Sequence, residues 1–138
     1  MIACLFSGAA FYINFAEQPA RMLLPTSHLL AQWKPSYKRG FALQATLAVL
    51  GAVFGGYAYF SQGDWRWLVG ALLILSNWPF TLLVIMPTNM KLMHTAPEAA
   101  NEATRSLLVL WGKLHSVRTC LGIAASLFFF WALLRNLA

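Results

Sequence analysis

Four stretches of this chain hold almost nothing that water would solvate. Met1 to Phe15 is apolar apart from Ser7 and Asn14. Phe41 to Phe60 has Gln44 and Thr46 as its strongly polar members. Trp67 to Met86 is interrupted by Ser76, Asn77 and Thr81, and Val117 to Leu134 is the fourth. A run of about 20 residues, rising 1.5 Å each, crosses a hydrocarbon core of about 30 Å. The first run reaches only about 22 Å. Helix 1 is therefore expected to continue to Pro19, to tilt, or to lack a few N-terminal residues. A cleaved signal peptide is the alternative, and the lack of Lys or Arg ahead of the apolar stretch argues against it. Only 10% of the 138 residues are charged while 59% are hydrophobic, against about 25% charged in soluble domains. The chain is too poor in charge to cover a water-facing surface. The fold class that follows is all-α: one membrane-embedded domain over residues 1–138, a bundle of four transmembrane helices with the lipid bilayer as its partner.

The net charge of +6 sits almost entirely between the apolar runs. That is the distribution of a topology signal and not of a nucleic-acid footprint, so no nucleic-acid partner is expected. Arg21, Lys34, Lys38, Arg39, Lys91 and Arg105 fall in the 1–2 and 3–4 connections, and Arg66 and Arg135 fall on the side of the termini. The bias places both long connections in the cytoplasm and both termini outside it, in a bacterial inner membrane. Pro25 to Trp33 reads as a short amphipathic helix lying on the membrane and ending before Pro35. Thr95-Ala96-Pro97-Glu98 reads as a capping box that starts helix 4 near Ala96. In helix 2, Gln44, Ala48, Gly51 and Gly55 share one face. This small-residue seam suits packing within the chain or, alternatively, a homodimer. Cys4 and Cys120 fall at opposite depths and are not expected to pair.

Hydrogen-bonding side chains at bilayer depth are costly and are retained for a partner or a task. Here they gather at one end of every helix. Asn14, Glu17 and Gln18 close helix 1, Arg39 and Gln44 open helix 2, Thr88 and Asn89 follow Pro87 at the end of helix 3, and Trp111, His115 and Arg118 enter helix 4. On helix 4, Trp111, His115, Arg118 and Gly122 form one stripe about 60° wide, with Lys113 on the opposite face. Asn77, Thr81 and Thr88 fall within about 40° on helix 3. Two arrangements fit. One is an inter-helix network with Glu17 paired to Arg118 or Arg39. The other is a polar pocket opening toward the cytoplasmic headgroups.

Asn14 to Pro19, Trp33 to Gly40, Pro79-Phe80-Thr81 through Pro87-Thr88-Asn89, and Trp111-Gly112-Lys113-Leu114-His115-Ser116-Val117-Arg118 together resemble the anthrone oxygenase-like family. These are small four-helix membrane proteins, and the resemblance runs through nearly the whole chain. It implies oxidation of anthrones to anthraquinones with dioxygen and without a cofactor, so the expected partners are a small hydrophobic aromatic ligand and dioxygen. The residues can support such chemistry. His115 is the natural base. Arg118 and Asn89 are donors for a developing oxyanion. Trp33, Trp78, Trp111 and Tyr37 can stack on a flat polycycle. Thr88, Thr81, Asn77, Asn14, Glu17 and Gln44 would complete the binding surface. A di-iron bundle needs several Glu and paired Glu-x-x-His motifs, and this chain has three Glu, one Asp and no such motif. No metal ligand set is expected, with haem or copper on His28, His94 and His115 as the alternative. The competing class is non-enzymatic: a membrane subunit, or a lipid- or quinone-binding protein.

Overall fold

The computed structural model describes residues 1–137, with side chains as far as Arg135, and every regular element among them is helical. α1 (Ile2–Tyr12) continues through a π-helical turn (Ile13–Glu17) into α2 (Gln18–Arg21), and α3 spans Thr26–Gln62. α4 (Trp65–Leu75), α5 (Asn77–Phe80), a second π-helical turn (Thr81–Ile85) and α6 (Met86–His94) form one rod. A 3-10 turn (Pro97–Ala99) then leads to α7 (Glu102–Leu137). Three rods are long and apolar enough to cross a membrane: Thr26–Gln62, Trp65–His94 and Glu102–Arg135. The N-terminal α1 packs along α7 and α3, and α4 packs along α3 and α7.

Local chemistry explains where the rods turn. Gly63 takes a left-handed φ of 71° and its N–H reaches the Tyr59 carbonyl at 2.8 Å, closing α3. A side chain at that φ would be strained. Asp64 then caps α4, accepting from the Arg66 N–H at 3.0 Å.

Three boundaries differ from expectation. Pro35 lies inside α3 instead of ending a separate interfacial helix. Proline removes the hydrogen bond to the carbonyl four residues back. Here Ala31 and Pro35 both face outward, while Leu29, Leu30 and Trp33, all 0% exposed, hold the same turns against the core. Helix 3 does not stop at Met86 but runs on to His94, so Thr88 and Asn89 lie on a helix face. Thr95 does not start a helix. Its hydroxyl turns back to the Lys91 carbonyl at 2.9 Å and closes α6. The reciprocal box forms later: Asn101 Oδ1 accepts from the Thr104 N–H at 3.2 Å, and Thr104 Oγ1 accepts from the Asn101 N–H at 3.3 Å.

Each π turn sits just before a proline, Pro19 in one rod and Pro87 in the other. A proline ring pushes off the carbonyl four residues back and offers no N–H. The neighbouring amides reach one residue further: Gln18 N–H to Ile13 O, and Met86 N–H to Thr81 O. Such single wide turns concentrate at functional sites.

The interior is layered. One apolar cluster is built from Leu29, Leu30, Trp33, Ile85, Leu92, Leu108 and Trp111, and a second from Ala3, Phe6, Ala10, Ala48, Ile74 and Ala125. In the second, glycines admit aromatic and branched side chains. A Cβ on Gly51 would stand 2.9 Å from Ile74, one on Gly55 would stand 2.7 Å from Phe129, and one on Gly122 would stand 2.6 Å from Phe6. The small-residue face of α3 is thus filled from within the chain. Cys4 and Cys120 are both exposed and unpaired.

Candidate active site

Between the two apolar clusters, every rod contributes polar side chains to one layer. In register along the helices these are Asn14, then Gln44, then Asn77, Thr81 and Asn89, then His115, Arg118 and Thr119. All but the half-buried Asn14 are buried. Helical periodicity is the cause. Gln44, Ala48, Gly51 and Gly55 are all buried on α3, as are Trp111, His115, Arg118 and Gly122 on α7, while Lys113 is exposed on the far side.

One side of the layer is hydrogen-bonded across to α7. His115 Nδ1 lies 2.8 Å from Asn14 Oδ1, and the Thr119 hydroxyl donates to the same oxygen at 2.6 Å. The Asn14 Nδ2 donates to the Gly112 carbonyl at 3.0 Å and to Ser116 Oγ at 3.1 Å. Gln18 adds a bond from Nε2 to the Leu108 carbonyl at 3.0 Å. These contacts stitch the N-terminal helix to α7.

The other side is not satisfied by protein groups. Both amide atoms of Gln44, both of Asn89, Asn77 Oδ1, Thr81 Oγ1 and Arg118 Nε are buried and find no partner of hydrogen-bonding geometry among the described residues, although the Tyr37 hydroxyl approaches Asn89. An unmet buried polar group costs roughly 1–3 kcal/mol, so such a concentration is not expected of a purely structural interior. The groups line two adjoining recesses. One is bounded by Tyr37, Gly40, Phe41, Gln44, Asn89, His115 and Arg118 among others, and the second by Gln44, Asn77, Trp78, Thr81 and Arg118 among others. Gln44, Phe41 and Arg118 belong to both, making them lobes of one seam. The room for the centre of a water molecule is about 20 Å³ in the first lobe and about 10 Å³ in the second, close to the 10–15 Å³ that one water requires. The seam is narrow in this conformation, with room for about one water in each lobe.

Arg118 is the main charge of the layer. Its guanidinium lies 5.7 Å from the Phe6 ring centroid. Glu17 pairs with Arg21 and accepts from Ser36 Oγ at 2.6 Å, Asp64 pairs with Arg66, and Glu98 and Glu102 are exposed. The expected pairing of Glu17 with Arg118 or Arg39 is therefore not made. Glu17 stands four residues before Arg21 on its own helix, a shorter reach than across the bundle, and it lies outside both lobes.

The remaining expected residues divide. Trp111 and His115 stack with centroids 5.0 Å apart, Trp33 meets Trp111 edge-on at 5.6 Å, and Trp33 stacks on Tyr37 at 4.8 Å. Trp33 is 0% exposed and spends its faces on these neighbours, so it forms a wall behind the first lobe. Trp78 stands at the outer edge of the second lobe, 37% exposed, donating to the Ala45 carbonyl at 3.3 Å. Thr88 is buried but borders neither lobe. Asn14 faces His115 instead of the seam. His28 and His94 are exposed, and no three of His, Cys, Asp and Glu come together among the described residues. Thr119 and Phe41 were not singled out from the sequence. Thr119 is four residues after His115, the helical spacing that could have found it.

No solved structure matches the chain. The model of the anthrone oxygenase family matches residues 33–128, which include most of this layer. An anthrone oxygenase of Claviceps purpurea is 33% identical over 138 residues, covering 88% of this chain and 78% of the relative. Anthrone oxygenase tpcL of Aspergillus fumigatus is 34% identical over 130 residues, covering 87% and 81%. Both relatives are fungal, and neither supports the bacterial membrane expected from the charge pattern. A family match across more than half the chain, with relatives of this identity and coverage, leads to one statement: this chain belongs to the anthrone oxygenase family.

Proposed function

We propose that the chain is a membrane-embedded, cofactor-independent oxygenase that uses dioxygen to convert the methylene of an anthrone-like flat aromatic into a carbonyl. In this proposal the rod from Ile2 to Arg21, about 30 Å long at 1.5 Å per residue, is the fourth crossing of a four-helix bundle. The observation that carries the proposal is the seam of unmatched hydrogen-bonding groups around Arg118, beside a histidine, at bilayer depth. A binding site pre-set for an oxyanion holds donors that lack partners until substrate arrives.

A methylene flanked by two aryl rings and conjugated to a carbonyl is acidic. His115 removes one of its protons, and the charge moves to the anthrone oxygen, where Arg118 and Asn89 donate hydrogen bonds. The electron-rich anion adds dioxygen at carbon, and protonation gives a hydroperoxide. Loss of the second carbon-bound hydrogen as a proton, with cleavage of the O–O bond, expels water and leaves the new carbonyl. One dioxygen is consumed, and one oxygen atom enters the product while the other leaves as water. Substrate entry requires the half-buried Tyr37 and Phe41 and the outer Trp78 to swing away, since the seam as it stands has room for water alone.

The test is incubation of detergent-purified protein with an anthrone such as emodin anthrone, with and without oxygen, following quinone absorbance. Acceleration over the spontaneous rate that needs oxygen and disappears in His115→Ala and Arg118→Met supports the proposal. Turnover by both variants at the wild-type rate would remove these residues from the chemistry and leave a binding role for the seam.

A further inference from the structure

Asn14 sits within hydrogen-bonding distance of four groups on α7, and one of them, a backbone carbonyl, has fixed polarity. The Gly112 carbonyl can only accept, so the atom 3.0 Å from it must be the amide nitrogen. Ser116 agrees: its hydroxyl donates to the same carbonyl at 3.1 Å, which leaves its oxygen to accept from Asn14 Nδ2. The carboxamide orientation is therefore set by the backbone of α7. Its oxygen is turned to the remaining two groups, Thr119 Oγ1 at 2.6 Å and His115 Nδ1 at 2.8 Å. A carboxamide oxygen cannot donate, so a neutral imidazole at that distance must carry its proton on Nδ1.

We infer that Asn14 is a positioning residue: it holds the proton of neutral His115 on Nδ1 and so leaves Nε2 as the basic nitrogen. The inference rests on the proposed role of His115 as base and assigns which atom acts. It also gives Asn14 a task other than substrate contact. The π turn supplies a second, independent observation. Asn14 lies within Ile13–Glu17, where the extra residue shifts the helix phase by about 100° between the turns before and after it. The chain departs from regular helix at the turn that aims the Asn14 amide across to His115 on α7. Trp111 stacks on the imidazole at 5.0 Å and prevents the ring from turning over freely.

The decisive measurement is the nitrogen-15 spectrum of histidine-labelled protein in detergent micelles, with the His115 signals assigned by their loss in His115→Gln. The expected result is a protonated Nδ1 and an unprotonated Nε2 on His115 at neutral or higher pH. In Asn14→Leu the tautomer should become mixed or shift to Nε2–H, with kcat falling about tenfold or more and KM little changed. Asn14→Asp, which can still accept from Nδ1, should keep the wild-type tautomer and regain activity relative to Asn14→Leu. A wild-type spectrum with the proton on Nε2 overturns the inference, as does an unchanged tautomer in Asn14→Leu. If Asn14→Leu does not fold, the wild-type and Asn14→Asp spectra still decide. The spectra do not depend on turnover. A locked tautomer in a protein whose His115→Ala variant remains active would refute the base role while leaving the lock in place.

Discussion

Two neighbouring regions of this molecule treat buried space in opposite ways. In the region built on Ala3, Phe6, Ala48, Ile74 and Ala125, glycines are spent to let large side chains interlock, and a methyl group added at Gly122 would press into Phe6 at 2.6 Å. In the polar layer, Gln44, Asn77, Thr81, Asn89 and Arg118 leave donors and acceptors unmet. The first region is tuned for cohesion, because between lipid-facing helices close packing is the main attraction available. The second forgoes stability. A layer that keeps such a deficit is expected to carry the activity, and stability and function should separate under mutation.

Substitutions can break or sharpen this contrast. The largest effect is expected at His115→Ala, a loss of about 10²- to 10⁴-fold in kcat with the thermal unfolding midpoint retained, measured by quinone formation and a melt of the same sample. Arg118→Met should follow, with turnover down about 10²- to 10³-fold and a midpoint equal to or above wild type, since a buried guanidinium short of partners is replaced by an apolar chain. In the packed region the pattern should invert. Gly122→Val should cost about 1–3 kcal/mol of stability while the folded fraction keeps its kcat. Gln44→Met should raise stability by about 1 kcal/mol and weaken activity, and a drop in its unfolding midpoint would show that Gln44 is satisfied in the working protein. The smallest change belongs to Lys113→Ala on the outer face, within about 0.5 kcal/mol of wild type. If activity and stability fell together in all of the buried variants, the division into two kinds of interior would fail.

Much of this was legible in the sequence because helical period reports which face is buried. The Trp111-His115-Arg118-Gly122 stripe and the Gln44-Ala48-Gly51-Gly55 stripe are buried residue for residue. What period cannot report is phase across an irregular turn. The Asn14 amide reads from sequence as one more polar group at a helix end, and only its four contacts on α7 reveal what it faces. Proline was over-read at Pro35, where an outward carbonyl tolerates the lost bond, and under-read at Pro19 and Pro87, where it accompanies the wide turns. Glu17 was matched to distant arginines because charge in a sequence carries no distance, and Arg21 lay one turn away. The narrowness of the seam had no counterpart in the sequence, since volume depends on how side chains from different rods meet.

The wide turns before Pro19 and Pro87 also uncouple two demands that a straight rod would bind together. Along an unbroken helix, the residue chosen to mesh with a neighbour dictates which way every later side chain points. One surplus residue acts as an angular offset between the segments on either side of it. The segments on either side of the offset can then be selected separately, neither dragging the other out of line.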